Sequence, residues 1–144
     1  MHTQLAERLI LIIDDNPGDL RLLREILREI DVPCRLETAG STVQAFDFLQ
    51  RAGAPLPDLV LLDLHLPGQS GLQLLEQMKA DPRLKRIPVA VASTSAAAPD
   101  IAAAYDRHAN CYLVKPINLE DFMAKLRLVL EFWFSAVQLP KEEP

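Results

Sequence analysis

Leu9-Ile10-Leu11-Ile12-Ile13-Asp14-Asp15-Asn16-Pro17 is the stretch that decides the fold. Five apolar side chains in a row are of strand length and leave no polar face, as in a strand buried on both sides. Two acids then end the run. Asn16 offers a helix cap and Pro17 a first-turn proline. Leu20, Leu23, Leu27 and Ile30 follow at helical spacing, with Arg21, Arg24, Glu25 and Arg28 on the other face.

The same strand-then-helix unit recurs outward from this start. Cys34 to Ala39 reads as a second strand, and Ser41 as the cap of a helix with Ala45, Phe46 and Leu49 inward. Leu59-Val60-Leu61-Leu62 is a third strand ending at Asp63, followed by a Pro67-Gly68 turn and a helix marked by Leu72, Leu75 and Met78 that Asp81-Pro82 closes. Val89 to Ala92 delivers Ser93 and Thr94, and Pro99 can start a helix with Ile101, Ala104 and Tyr105 inward. Cys111 to Val114 ends at Lys115. The last helix runs from about Asn118 to Phe134, with Leu119, Phe122, Met123, Leu126, Leu130 and Trp133 on its buried face.

Five βα units with apolar strands imply an α/β fold: a five-stranded parallel sheet, covered on both faces, in the flavodoxin-like order 2-1-3-4-5. One domain over residues 1–144 is expected, with a core at about 9–134 and a short tail at 135–144. In that order Cys34 and Cys111 lie on opposite edges, four strand spacings or roughly 19 Å apart, beyond disulfide reach. Reduced cysteines fit a cytoplasmic setting.

The formal net charge of −5 argues against nucleic acid or an anionic membrane as partner. No apolar run is long enough to span a membrane.

In an open parallel sheet, ligands bind outside the carboxyl ends of the strands, beside the change in winding direction. Asp14, Asp15, Asp63, Ser93 and Lys115 all fall there. Three carboxylates about 5 Å apart repel by about 3 kcal/mol per pair at an effective dielectric near 20. An oxygen-only donor set of this kind suits Mg2+, and Lys115 is a second cation aimed at the same place. An aspartate in such surroundings can be a nucleophile toward phosphorus.

These residues resemble the receiver family of two-component signalling. The marks are Ile13-Asp14-Asp15-Asn16, Leu61-Leu62-Asp63-Leu64, Leu66-Pro67-Gly68 with Gly71, the hydroxyl at Ser93, and Lys115-Pro116. The resemblance covers roughly Leu9 to Phe134 and implies a stand-alone response regulator. Asp63 would accept phosphate from a phosphohistidine. Asp15 would bind Mg2+ directly, Asp14 through water, and the backbone carbonyl of His65 would complete the protein ligands. Lys115 would bind the phosphoryl group, and its bond to Pro116 is expected to be cis. Ser93 stands where the family more often has threonine, with Thr94 as the neighbouring alternative, and Tyr112 matches the aromatic switch position.

Asp15-Asn16-Pro17-Gly18-Asp19, Asn110-Cys111-Tyr112-Leu113 and Phe132-Trp133-Phe134 with Val137, Leu139 and Pro140 are similar to small receivers paired with bacterial phytochrome histidine kinases. A sensor histidine kinase, such as a bacteriophytochrome, or a histidine phosphotransfer protein would then be the partner. Leu128 and Phe132 sit four apart on the face of the last helix that a monomer should keep polar. Together with Val137 and Leu139 they suggest a homodimer through helix 4, strand 5 and helix 5, unless the tail folds back over them.

Two other classes compete. A pseudo-receiver would never take phosphate, which the complete acidic pocket argues against. An aspartate-nucleophile phosphohydrolase usually has a second acid two residues after the nucleophile, where this chain has His65, so no turnover of outside substrates is expected. The side chain of His65 itself is expected to be exposed, and His108 to sit as a favourable charge at a helix C-terminus.

Overall fold

The computed structural model describes residues 7–29, 33–66 and 70–140. Ile30 and the Pro67-Gly68 turn lie outside them. The strands are β1 (Arg8–Ile13), β2 (Cys34–Ala39), β3 (Leu59–Asp63), β4 (Val89–Ser93) and β5 (Cys111–Val114). The helices are α1 (Pro17–Glu29), α2 (Thr42–Gln50), α3 (Gly71–Ala80), α4 (Ala98–Asp106) and α5 (Leu119–Glu131), and a π-helical turn over Phe132–Ala136 extends the last.

All strand pairs are parallel and the order is β2-β1-β3-β4-β5, as the five βα units require. Because successive side chains of a strand face opposite ways, the sheet feeds two cores. Leu11, Ile13, Val60, Leu62, Val89 and Val91 pack with Leu49 of α2, Leu74, Leu75 and Met78 of α3 and Ala104 of α4. Ile10, Ile12, Leu59, Leu61 and Ala90 pack with Leu22, Leu23 and Ile26 of α1 and Phe122, Leu126 and Leu130 of α5. Each such Leu or Ile contributes about 1.5–3 kcal/mol by leaving water.

Several helix faces differ from the spacing-based expectation. In α1 the buried positions are Leu22, Leu23 and Ile26, and Leu20 and Leu27 only flank them. Tyr105 and Leu119 point outward. The wide π turn displaces the phase at the end of α5, so Phe134 is buried while Trp133 packs only partly. Leu139, assigned from sequence to a tail, is buried against the α1–α5 core, with Val137 beside it. The segment covers the core but leaves Leu128 and Phe132 exposed, at 66% and 51%.

Two loop devices were not legible in the sequence. The Lys79 ammonium donates to the Ile87 carbonyl at 2.8 Å, the Lys85 carbonyl at 3.2 Å and Asn110 Oδ1 at 3.1 Å. Asn110 Oδ1 also accepts from the Val89 amide, so one cation ties the loop before β4 to the start of β5. His108 closes α4 with φ +69°. Its amide donates to the Tyr105 carbonyl and that of Ala109 to the Ala104 carbonyl. This is a Schellman closure whose left-handed position normally holds glycine. His108→Gly is therefore expected to stabilise the fold by about 0.5–1 kcal/mol, after the entropy glycine adds to the unfolded chain. Thermal unfolding would show it as a rise in Tm of a few degrees.

Candidate functional site

Parallel strands deliver their carboxyl ends to one edge of the sheet. Asp14 follows β1, Asp63 ends β3, Ser93 ends β4 and Lys115 follows β5. The Lys115 amide donates to the Ser93 carbonyl at 2.7 Å, which extends the β4–β5 ladder to the site. Asp14 and Asp63 are nearly buried, 5% and 9% exposed, and Ser93 is 1% exposed.

Each buried carboxylate has a backbone donor. Asp14 Oδ1 accepts from the Asn16 amide at 2.8 Å, and Asp63 Oδ1 from the His65 amide at 2.9 Å. The opposite oxygens converge on one ammonium. Lys115 Nζ lies 3.3 Å from Asp14 Oδ2, 3.1 Å from Asp63 Oδ2 and 2.8 Å from Asp19 Oδ2. The Phe122 ring lies behind it, its centroid 6.0 Å away.

Asp19 was missed by reading strand ends alone. It sits in the first turn of α1, where Asn16 Oδ1 accepts from the Gly18 and Asp19 amides at 2.8 and 3.3 Å. The signal was present: an Asn cap followed by an acid three residues later fixes that acid at the helix start, above the strand that precedes it. Asp14, Asp19 and Asp63 each place an oxygen within 4.8 Å of the others and form, among the described residues, a group able to hold a cation.

Asp15 is exposed and its carboxylate lies outside that trio. It lines an open cleft of about 440 Å³ with Asn16, Asp63, His65, Thr94 and Pro116. Thr94 is exposed there, whereas Ser93 Oγ is within 3.2 Å of the His65 ring Nε2 and accepts from the Ser95 amide at 3.1 Å. His65 is exposed as expected, but its ring reaches the Ser93 hydroxyl, which the sequence did not suggest. The Tyr112 hydroxyl donates to the Ser95 carbonyl at 2.9 Å.

One expectation is corrected. Among the described residues there is no cis peptide bond, so Lys115–Pro116 is trans. The trans form is the intrinsically favoured one by about 0.5–1 kcal/mol before proline. Lys115 already reaches all three carboxylates from it, so aiming the side chain does not require the other isomer.

Burial pushes the Asp14 carboxyl up from 3.8 to about 7, helped by its hydrogen bond with Asp19 and opposed by the Asn16 amide and Lys115. For Lys115, burial acts downward, but the bond to Asp19 and the charges of Asp14 and Asp63 outweigh it and raise the ammonium above its ordinary value. A carboxyl that holds its proton more tightly when folded stabilises the chain fully below its unfolded value, and that stability is lost as pH rises through the folded one. Metal-free protein is thus expected to lose Tm between about pH 4 and 7 from this group, while Lys115 stays charged in both states. The check is calorimetry against Asp14→Asn, whose Tm should fall less over the same window.

The all-oxygen donor set, its excess of negative charge and the proton drawn onto Asp14 fit a hard divalent cation. The comparisons point the same way. Residues 10–127 match the family described as the response regulator receiver domain. Response regulator Rcp1 of Synechocystis sp. is 39% identical over 137 residues, covering 92% of this chain and 93% of its own. The phosphorylated cyanobacterial phytochrome response regulator RcpA superposes with a TM-score of 0.90 at 41% identity, over 94% of this chain and all of its own. The Mn2+-bound form of Rcp1 gives 0.88 at 38% identity, over 93% and 99%.

Proposed function

Because this chain belongs to the response regulator receiver domain family, we propose that Asp63 accepts a phosphoryl group from the phosphohistidine of a sensor kinase in a Mg2+-dependent reaction. The observation that carries the proposal is the placement of Asp63. It is nearly buried at the end of the central strand, with one oxygen fixed by the His65 amide and the other facing the site's ammonium.

In the transfer, a lone pair on an Asp63 carboxylate oxygen forms the new O–P bond. The N–P bond of the donor breaks, and its electron pair returns to the imidazole ring, which is left to take up a proton. Lys115 neutralises a phosphoryl oxygen, and the Ser93 hydroxyl donates to another once it leaves His65 and the Ser95 amide. Asp14, Asp15, Asp63 and the His65 carbonyl would hold the metal, with Asp19 close by. The cation supplies charge neutralisation of the phosphoryl oxygens.

Output follows by protein contact. The Tyr112 hydroxyl rests on Ser95, whose amide rests on the Ser93 hydroxyl, so a shift of Ser93 toward the phosphoryl group loosens the aromatic ring as well. The likeness to RcpA, a phytochrome response regulator, supports a bacteriophytochrome kinase or a histidine phosphotransfer protein as partner. The setting is cytoplasmic, in keeping with two free cysteines on opposite sheet edges.

A homodimer through α4, β5 and α5 is part of the proposal. Leu128 and Phe132 stay exposed beside an apolar groove of about 710 Å³ that Cys111, Leu113, Trp133 and Ala136 also line. Burying such a patch is favourable. Leu128→Glu/Phe132→Glu should sediment as a monomer where the unsubstituted chain sediments as a dimer; an unchanged mass counts against this interface.

The reaction is tested by transfer from a phosphorylated kinase. One phosphoryl group should appear on the chain with Mg2+ and none with a chelator. Failure to label in the presence of Mg2+ and a competent kinase would overturn the proposal.

A further inference from the structure

We propose that Asp19 is a positioning residue, which shares the Lys115 ammonium with Asp63 so that the amine is not held by Asp63 and Asp14 alone. This rests on the reading of Asp63 as phosphoacceptor. An ammonium offers three N–H donors. Lys115 spends them on three carboxylates, and its shortest bond is to Asp19, at 2.8 Å against 3.1 Å to Asp63 and 3.3 Å to Asp14.

Asp19 differs from the other two acids in what carries it. Asp14 and Asp63 belong to strand ends, and both are expected to turn to the metal. Asp19 belongs to the first turn of α1, whose start is fixed by the Asn16 side chain on two amides. A helix N-terminus also favours a negative charge there. It is therefore an anchor on a separate element from the one that carries Asp63.

Without that anchor, Lys115 would be left with Asp14 and Asp63 alone. A charge-assisted bond shortens when competitors are removed, and the amine would settle on the oxygen that must attack phosphorus. With Asp19 in place, the amine keeps one bond to α1 while its other two donors are free to pass from Asp14 and Asp63 to a phosphoryl oxygen. The Phe122 ring behind it limits retreat from the pocket.

The experiment compares wild type, Asp19→Asn, Lys115→Met and the double variant, with a small acyl phosphate as donor and saturating Mg2+. In this reaction the Asp63 O–P bond forms as the donor's acyl O–P bond breaks, and a carboxylate leaves with the electron pair. Asp19→Asn should label about tenfold more slowly than wild type, the size of one hydrogen bond to a charged group. In the Lys115→Met background, Asp19→Asn should cause no further slowing, because Asp19 acts through the amine.

A second readout needs neither metal nor donor. In metal-free protein the Lys115 ammonium protons, sheltered by three acceptors, should give a nitrogen-15-edited signal that Asp19→Asn shifts and weakens, because a neutral amide oxygen holds the ammonium less tightly than a carboxylate does. Thermal unfolding establishes that each variant is folded. Equal slowing by Asp19→Asn with and without Lys115, or an unaltered ammonium signal in Asp19→Asn, would overturn the inference. Absence of labelling in wild type would instead overturn the phosphoacceptor reading, and the ammonium signal would still judge Asp19.

Discussion

Asp63→Asn is expected to take no phosphoryl group, with labelling down by at least about a thousandfold under conditions that label the unsubstituted chain. An amide oxygen carries no formal charge and its lone pair is delocalised, so it does not attack phosphorus at a useful rate. The variant should nonetheless fold. Asn keeps an oxygen for the His65 amide, which Asp63 Oδ1 now satisfies at 2.9 Å. Charge arithmetic points the same way. Asp63 lies within 4.8 Å of two other carboxylates, and each pair repels by about 3.5 kcal/mol at an effective dielectric near 20. Its attraction to Lys115 at 3.1 Å is worth about 5 kcal/mol on the same scale. With Asp14 about half protonated near neutral pH, the repulsion removed and the attraction lost nearly cancel, so Tm should hold. Phosphotransfer and calorimetry on the same preparation check both halves. Labelling retained in Asp63→Asn would place the acceptor elsewhere, and a collapse of Tm would mean that Asp63 is chiefly structural.

Gly71→Ala is expected to destabilise the fold by about 2–3 kcal/mol, in the range of overpacking a close-packed interior. A Cβ at position 71 would stand 2.9 Å from the Asp63 carbonyl oxygen, 3.0 Å from Leu64 Cα and 3.3 Å from Leu64 Cδ2. Two of these neighbours are backbone, so no side-chain rotation relieves the contact. Either α3 moves off the sheet or the chain after β3 moves, and the second displaces Asp63. Urea unfolding should show the loss, and phosphotransfer should slow as well. Gly40→Ala is the control: its added carbon would meet only Gln44 Oε1 at 3.6 Å, and its stability should stay within about 0.5 kcal/mol of the parent. Equal behaviour of the two substitutions would refute the packing argument.

How much of this was legible beforehand depends on the kind of signal. Strand order and the convergence of Asp14, Asp63, Ser93 and Lys115 follow from apolar runs that end in polar residues, because a parallel sheet turns sequence ends into spatial neighbours. Asp19 was invisible to that rule because it lies inside a helix, and only its cap geometry brings it over the pocket. Asp15 shows the converse: adjacency in sequence to Asp14 does not place its carboxylate in the trio. The family resemblance implies the rarer isomer at Lys115–Pro116, yet the bond is trans and the side chain reaches its partners from it. The phase of α5 could not be projected past Glu131, because a π turn adds a residue to the turn and sends Phe134 inward. Lys79 and His108 act through main-chain carbonyls and a left-handed φ, which side-chain patterns do not encode.

The strand side chains divide cleanly between two apolar clusters, so the β-sheet acts as a partition wall. Helices cover it on either side, and Leu75 and Leu130 belong to different clusters. Lesions in the two compartments therefore accumulate as independent costs, and crosstalk between them is confined to the rim where the strands end. Evolution can retool the outward surface on one side of this chain without renegotiating the packing on the other.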